Sequence, residues 1–495
     1  MARRLRLHPM GGEVALAAAC GAAVALLILA GMHKLGTTGG LFAPLALPLL
    51  LVLLANPLWM TTAVVGAIVV LEGPDFGLFS FGAGIYSHRT LLNVLVALVV
   101  LSVAIELVRA RRRLWIPQAL RIPLGLLLAA IAVGAITSHS SGVSFLTAIR
   151  AENVLIYLLL LPIAIANLDL EREQVVRMLQ GWIALGALKG LLGVIEVAAH
   201  LGVPIEGQQT LTYYEPTANW IVMISMLAVL AAALSGYRPP LWMLVSAPLL
   251  VASLVLSYRR SFWIGSVLGA VLVAILALSP SRRRILIPAV VFIAAAFWLA
   301  DSVNLEAESQ SPTQSPIVHR IESLEPSKLT SNVEDRYRLD ERANVLAAIG
   351  RNPIAGAGLF AEWSASTRPL PIEHEGGRLY VHFDALWFWF KLGILGLLAY
   401  LSLLAGTALL SWRVWHSGRE PLTRAYGLAC LCGVAGLAVI ETTGSFTGVD
   451  TRFTILLAAQ IGGLALLARR ASTPDAAPAP APAEVQPAWL RLPAR

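Results

Sequence analysis

Apolar runs of about 20 residues, the length a helix needs to cross a bilayer, recur along the chain. They fall at 13–33, 41–56, 57–72, 90–109, 119–136, 150–168, 175–199, 217–236, 239–256, 261–279, 283–301, 385–411, 423–441 and 451–468. The runs at 41–56 and 57–72 are short and meet at Asn56-Pro57, so they read either as two spans or as a tight re-entrant pair. Between Ala300 and Ala385 the pattern breaks. Residues 302–333 are rich in Ser, Pro, Glu and Gln and predict a flexible excursion. A helix is then predicted, because Arg338, Arg342, Val345/Leu346 and Ile349 recur every three to four residues. That spacing puts Arg338 and Arg342 on one face with Glu341 adjacent to both. Gly350 to Pro353 ends the helix, and Gly356 and Gly358 allow close backbone approach.

The pattern predicts an all-α, polytopic membrane protein of about 12–14 transmembrane helices with one large extracytoplasmic loop. An N-terminal transmembrane bundle occupies 1–301, the loop 302–384, and C-terminal transmembrane helices 385–470. An Ala/Pro-rich tail over 471–495 predicts a disordered cytoplasmic end. Composition agrees: 57% of residues are hydrophobic and 13% charged, against ~25% charged in soluble domains, with a mean hydropathy of +0.73. A β-barrel would need short alternating segments, which are lacking. The first run follows Arg3, Arg4 and Arg6 without a clear cleavage site, so it reads as a retained span.

Net charge is +8, but it does not point to nucleic acid. The basic residues sit in short clusters between apolar runs, as an inside-positive bias and contact with membrane lipids would place them. With the N-terminus inside, Arg109, Arg111–Arg113, Arg172, Arg177, Arg282–Arg284, Arg413, Arg419, Arg424, Arg469 and Arg470 all fall inside. The loops 137–149, 302–384 and 442–450 fall outside. Cys20, Cys430 and Cys432 lie in apolar runs and read as small buried hydrophobes.

Ionisable groups that break this order collect at the outer face. Arg259 and Arg260 lie between two spans on that side; they either snorkel to headgroups or present two planar donor forks suited to a diphosphate. His382 and Asp384 stand just before the run at 385–411. A boundary histidine is ordinary, yet an imidazole can relay a proton or donate to phosphate. Arg150 and Glu152 open another outer boundary, as a helix-start ion pair or with Arg150 reaching an anion. Glu441, Asp450 and Arg452 read as structural. His374 and His382 are irregularly spaced with no cysteine near, so no metal is expected. The Gly356-Ala357-Gly358 stretch is no nucleotide loop, because no Gly-Lys-Ser/Thr follows and no strand precedes it.

Three stretches together resemble the O-antigen ligase and Wzy-type polymerase superfamily. Arg260-Ser261-Phe262-Trp263-Ile264-Gly265, following Ser257, is similar to that family's Arg-Gly-Ala-Trp-Leu-Gly run. Arg338 through Pro353-Ile354-Ala355-Gly356-Ala357-Gly358 resembles its Arg-rich helix followed by Pro-x-x-Gly-x-Gly. His382 and Gly393-Ile394-Leu395-Gly396 resemble its His-Asn-x-x-Leu…Gly-x-x-Gly segment. Arg342 stands where tryptophan is common, and Phe383 where asparagine usually follows the histidine.

The resemblance implies a GT-C-like, metal-independent glycosyltransferase of the bacterial inner membrane with its active face extracytoplasmic and no cofactor. Its donor would be a glycan on undecaprenyl diphosphate; its acceptor, lipid A-core or another glycan. On that reading Arg260 and Arg338 clamp the diphosphate, assisted by Arg259, Arg342 and Arg150. His382 activates the acceptor hydroxyl or positions the diphosphate. Glu341 orients an arginine, and Asp384 partners His382. Two other readings remain open from the sequence: a glycan-lipid transporter or flippase, which would carry charge near mid-membrane, and a non-catalytic glycan-lipid binding protein.

Overall fold

The computed structural model describes residues 50–70, 85–199, 203–204, 211–212, 216–278, 333–372 and 377–472. The expected spans at 13–33 and 283–301, His374, the excursion at 302–332 and the tail from 473 lie outside the described residues. The helices are α1 (Pro57–Val70), α2 (Ile85–Arg109), α3 (Gln118–Ser140), α4 (Phe145–Ala151), α5 (Val154–Ala166) and α6 (Arg172–Ala198). They continue as α7 (Pro216–Leu234), α8 (Leu241–Leu256), α9 (Arg260–Ala277), α10 (Val333–Arg351), α11 (Asp384–Ser417), α12 (Pro421–Ile440) and α13 (Thr451–Ser472). Among the described residues seven helices are long and apolar enough to cross a membrane, and four shorter apolar ones accompany them. The protein is an all-α polytopic membrane protein; among the described residues the one strand pairing is a two-residue ladder, Val203–Pro204 against Leu211–Thr212.

Local chemistry sets the breaks. Asn56 interrupts the first helical stretch, its side-chain oxygen accepts from the Trp59 amide at 3.3 Å, and Pro57 opens α1 at the position where its missing N–H costs nothing. The expected helix over 150–168 is divided: α4 ends at Ala151 and α5 starts at Val154. Close packing relies on small residues. A Cβ on Gly265 of α9 would lie 2.9 Å from the Gly436 carbonyl of α12, and one on Gly436 would lie 2.6 Å from the Gly265 carbonyl. With Gly269 one turn on, the two backbones touch, as small-residue helix crossings in lipid do.

Charge sorts to the two ends of the bundle. At one end Arg112 bonds Asp169 at 3.0 Å, Arg172 bonds Glu420 at 2.5 Å and Arg469 bonds the Leu168 carbonyl at 2.6 Å. These contacts gather the last residues of α2 and α13, the first of α6 and the α11–α12 turn into one basic surface. By the distribution of Lys and Arg it is the cytoplasmic surface. The α9, α11 and α13 N-termini and the α12 C-terminus meet at the opposite, extracytoplasmic end.

Candidate functional site at the extracytoplasmic face

The outer end is built on a break between α8 and α9. Tyr258 has φ +49°, the left-handed region that a bulky side chain rarely enters, and is held there buried, with its ring 6.2 Å from that of Trp263. This bend turns Arg259 and Arg260 out of the α8 axis. Arg260 then makes two 2.9 Å contacts from Nη2 to the Asp335 carboxylate at the start of α10. Arg338, one turn along α10, approaches the same carboxylate at 3.5 Å. Two guanidiniums 78 positions apart in sequence numbering are therefore held side by side by one aspartate.

The same helix holds the histidine. Glu341 is fully buried, and its Oε2 accepts from both the backbone amide and Nδ1 of His382, each at 2.9 Å. Against a carboxylate acceptor Nδ1 carries the hydrogen, which leaves the lone pair of the neutral ring on Nε2. The Tyr380 ring lies edge-on to the imidazole at 4.5 Å and that of Tyr337 at 5.7 Å. Tyr380 donates to the Ser445 carbonyl at 3.3 Å; burial pushes its phenol well above the ordinary value, with the negative charge of Asp384 adding to this, so it stays protonated. Arg338 and Glu341 are three residues apart, the separation at which side chains neighbour each other on a helix.

Other residues fall in different places from those expected. Glu341 orients the imidazole rather than an arginine, because it faces inward from α10 whereas Arg342 is exposed, 5.7 Å over the Phe383 ring. Asp384 does not partner His382. As the first residue of α11 it accepts from Ser445 Oγ and from the amides of Phe446, Thr447 and Gly448 at 2.7–3.2 Å, tying the α12–α13 loop to α11. Glu441 joins this knot through Tyr400 and Thr447; burial and the adjacent Asp384 raise its carboxyl well above the usual range. Arg150 is exposed at the end of α4. Glu152 lies 3.5 Å from Lys391.

Lys391 is not among the candidates expected from the sequence, although a lysine inside an apolar run is itself a signal. It is fully buried in α11, donates to the carbonyls of Leu359 at 3.1 Å and Ala361 at 2.8 Å, and lies 3.5 Å from Glu152. Beside it α11 breaks at Gly393, φ +66°, where a Cβ would sit 2.0 Å from the Ile354 carbonyl. The carbonyls of Phe390 and Lys391, released by the break, accept from Ala357 and Gly358 at 2.7 and 3.1 Å, and Ile394 donates to Ile354 at 3.2 Å. The Pro353–Gly358 stretch thus docks on broken helix backbone ~14 Å along α11 from its first residue. This part of the 302–384 segment is thereby fixed to the backbone of α11. Lys391→Met should lower stability by about 3 kcal/mol, because Glu152 loses its cation and two carbonyls lose a donor. Thermal melting in detergent measures this, and adding Glu152→Gln should recover part of the loss.

Among the described residues no three His, Cys, Asp or Glu side chains cluster as a metal site would. Residues 245–401, from α8 to the middle of α11, match the family model described as O-antigen ligase. No curated protein is found to match the chain.

Proposed function

We propose that this membrane protein, a member of the O-antigen ligase family through residues 245–401, transfers or polymerises glycan from an undecaprenyl-diphosphate donor onto a surface-polysaccharide acceptor. The observation that carries this reading is the α10 crossing, which sets Arg260 and Arg338 on one carboxylate, Asp335, and His382 on another, Glu341, six residues further along the helix. The acceptor hydroxyl oxygen attacks the anomeric carbon. The bond from that carbon to the diphosphate oxygen breaks, undecaprenyl diphosphate leaves, and the hydroxyl proton passes to His382 Nε2. Glu341 supports the base role over direct diphosphate contact, because it occupies Nδ1 and stabilises the imidazolium as it forms. Arg260 and Arg338 offset the charge that develops on the leaving diphosphate, and Arg259, Arg342 and Arg150 add positive potential around it. Asp335 pre-positions the two main guanidiniums side by side.

Purified protein supplied with an undecaprenyl-diphosphate oligosaccharide and the acceptor pool of its native membrane should form longer or acceptor-linked glycan. Binding of the donor lipid with no transfer to any acceptor would favour a non-catalytic binder, and donor movement across vesicles without acceptor would favour a transporter. Because arginines replace a metal in this scheme, EDTA should leave the rate unchanged. A loss restored by a divalent cation would contradict it.

A further inference from the structure

A charged cavity lies at the end of the bundle opposite the candidate site and takes no part in the reaction above. It encloses about 510 Å³ and is lined by five arginines, Arg112, Arg172, Arg419, Arg469 and Arg470, against two carboxylates, Asp169 and Glu420. The arginines come from four places in the chain: after α2, the start of α6, the α11–α12 turn and the end of α13. An inside-positive bias alone requires arginines on this side; it does not require them to converge on one cavity.

The cavity has two layers. Its inner wall is fixed: Arg112 bonds Asp169 and the Asn167 carbonyl, Arg469 bonds the Leu168 carbonyl and lies 5.5 Å over the Trp115 ring, and Arg470 bonds the Leu170 carbonyl. Its mouth carries the exposed Arg172 and Arg419. Leu170, Val175 and Leu467 supply an apolar side. Positive charge in excess of carboxylate, an apolar flank, and a position where helices leave the membrane are the features of a headgroup site, because phospholipid phosphates lie at that depth with acyl chains beside them.

We infer that this cavity binds the phosphodiester headgroup of an anionic phospholipid on the cytoplasmic leaflet. The lipid bridges the ends of α2, α6, α11 and α13. The phosphate adds negative charge to a lining of five arginines that Asp169, Glu420 and, at Arg112, Glu106 already pair in part, and the acyl chains leave the headgroup toward the bilayer.

The test is native mass spectrometry of the full chain in zwitterionic detergent, titrated with phosphatidylglycerol, phosphatidylcholine and inorganic phosphate. Phosphatidylglycerol should be retained at one site with at least tenfold preference over phosphatidylcholine. Arg172→Gln with Arg419→Gln should weaken it about tenfold, as the loss of two surface-level cations implies. Arg113→Gln with Arg413→Gln removes the same charge from exposed positions outside the cavity and should leave affinity within about twofold. Glu420→Gln should tighten binding, and this arm decides the matter if the first double variant does not fold. Equal weakening by both double variants, equal retention of the two lipids, weaker binding in Glu420→Gln, or displacement of the lipid by millimolar phosphate would each overturn the inference.

Discussion

Replacing Arg338 or Arg260 with alanine is expected to lower glycan transfer by about a thousandfold, within the range seen when a group stabilising transition-state charge is removed. The expectation rests on where charge appears. The donor already carries a diphosphate, and breaking its bond to the sugar concentrates negative charge on the oxygen that departs. A guanidinium fixed beforehand needs no reorganisation at that moment, and Asp335 fixes two of them. The effect should fall on kcat more than on donor affinity, because the added charge exists only as the bond breaks. Lysine at either position should give an intermediate rate, since it keeps the charge but not the planar fork. The double alanine variant should lose less than the product of the single losses, because both arginines act on one anion. Protein level and membrane insertion should stay normal. Wild-type turnover in either single variant would remove the clamp from the mechanism.

His382→Ala should slow transfer by about 10²–10⁴-fold, the range of a lost general base. Glu341→Gln should lower kcat by as much as about 10⁴-fold with little change in KM, as replacing the carboxylate behind a general-base imidazole by an amide does. Glutamine can still accept from Nδ1, but it no longer offers a charge to stabilise the imidazolium. If His382→Ala instead weakened donor binding and left kcat intact, the imidazole would be a diphosphate ligand. The position of Glu341, buried with Oε2 on both the amide and the ring of His382, is what favours the first outcome.

Much of this architecture was legible in the residues. Long apolar runs marked the described membrane helices and basic clusters their shared end, because lipid leaves a helix few alternatives and arginine placement is biased. The three-to-four spacing of Arg338, Arg342 and Ile349 gave α10. Gly356 and Gly358 gave a close backbone approach, though not its partner. That partner is the break at Gly393, which hydropathy cannot reveal because the run stays apolar through it. Lys391 is the polar residue that marks the place. The direction of each carboxylate was also hidden. The sequence sets Asp384 two residues from His382 and Glu341 beside the arginines of α10, and only the contact of α10 with the start of α11 gives Glu341 to the imidazole and Asp384 to the 445–448 loop. Asp335, in the same charged stretch, gained its role from a contact with Arg260 across 75 residues, a separation that periodicity does not encode.

The most direct measurement is a structure of the protein with undecaprenyl diphosphate bound. Arg260 and Arg338 should both lie within hydrogen-bond distance of the diphosphate oxygens, ~2.7–2.9 Å for charged pairs, with His382 Nε2 facing the side from which an acceptor approaches. A diphosphate held elsewhere on the protein, or contacted by neither arginine while both remain on Asp335, would contradict the assignment.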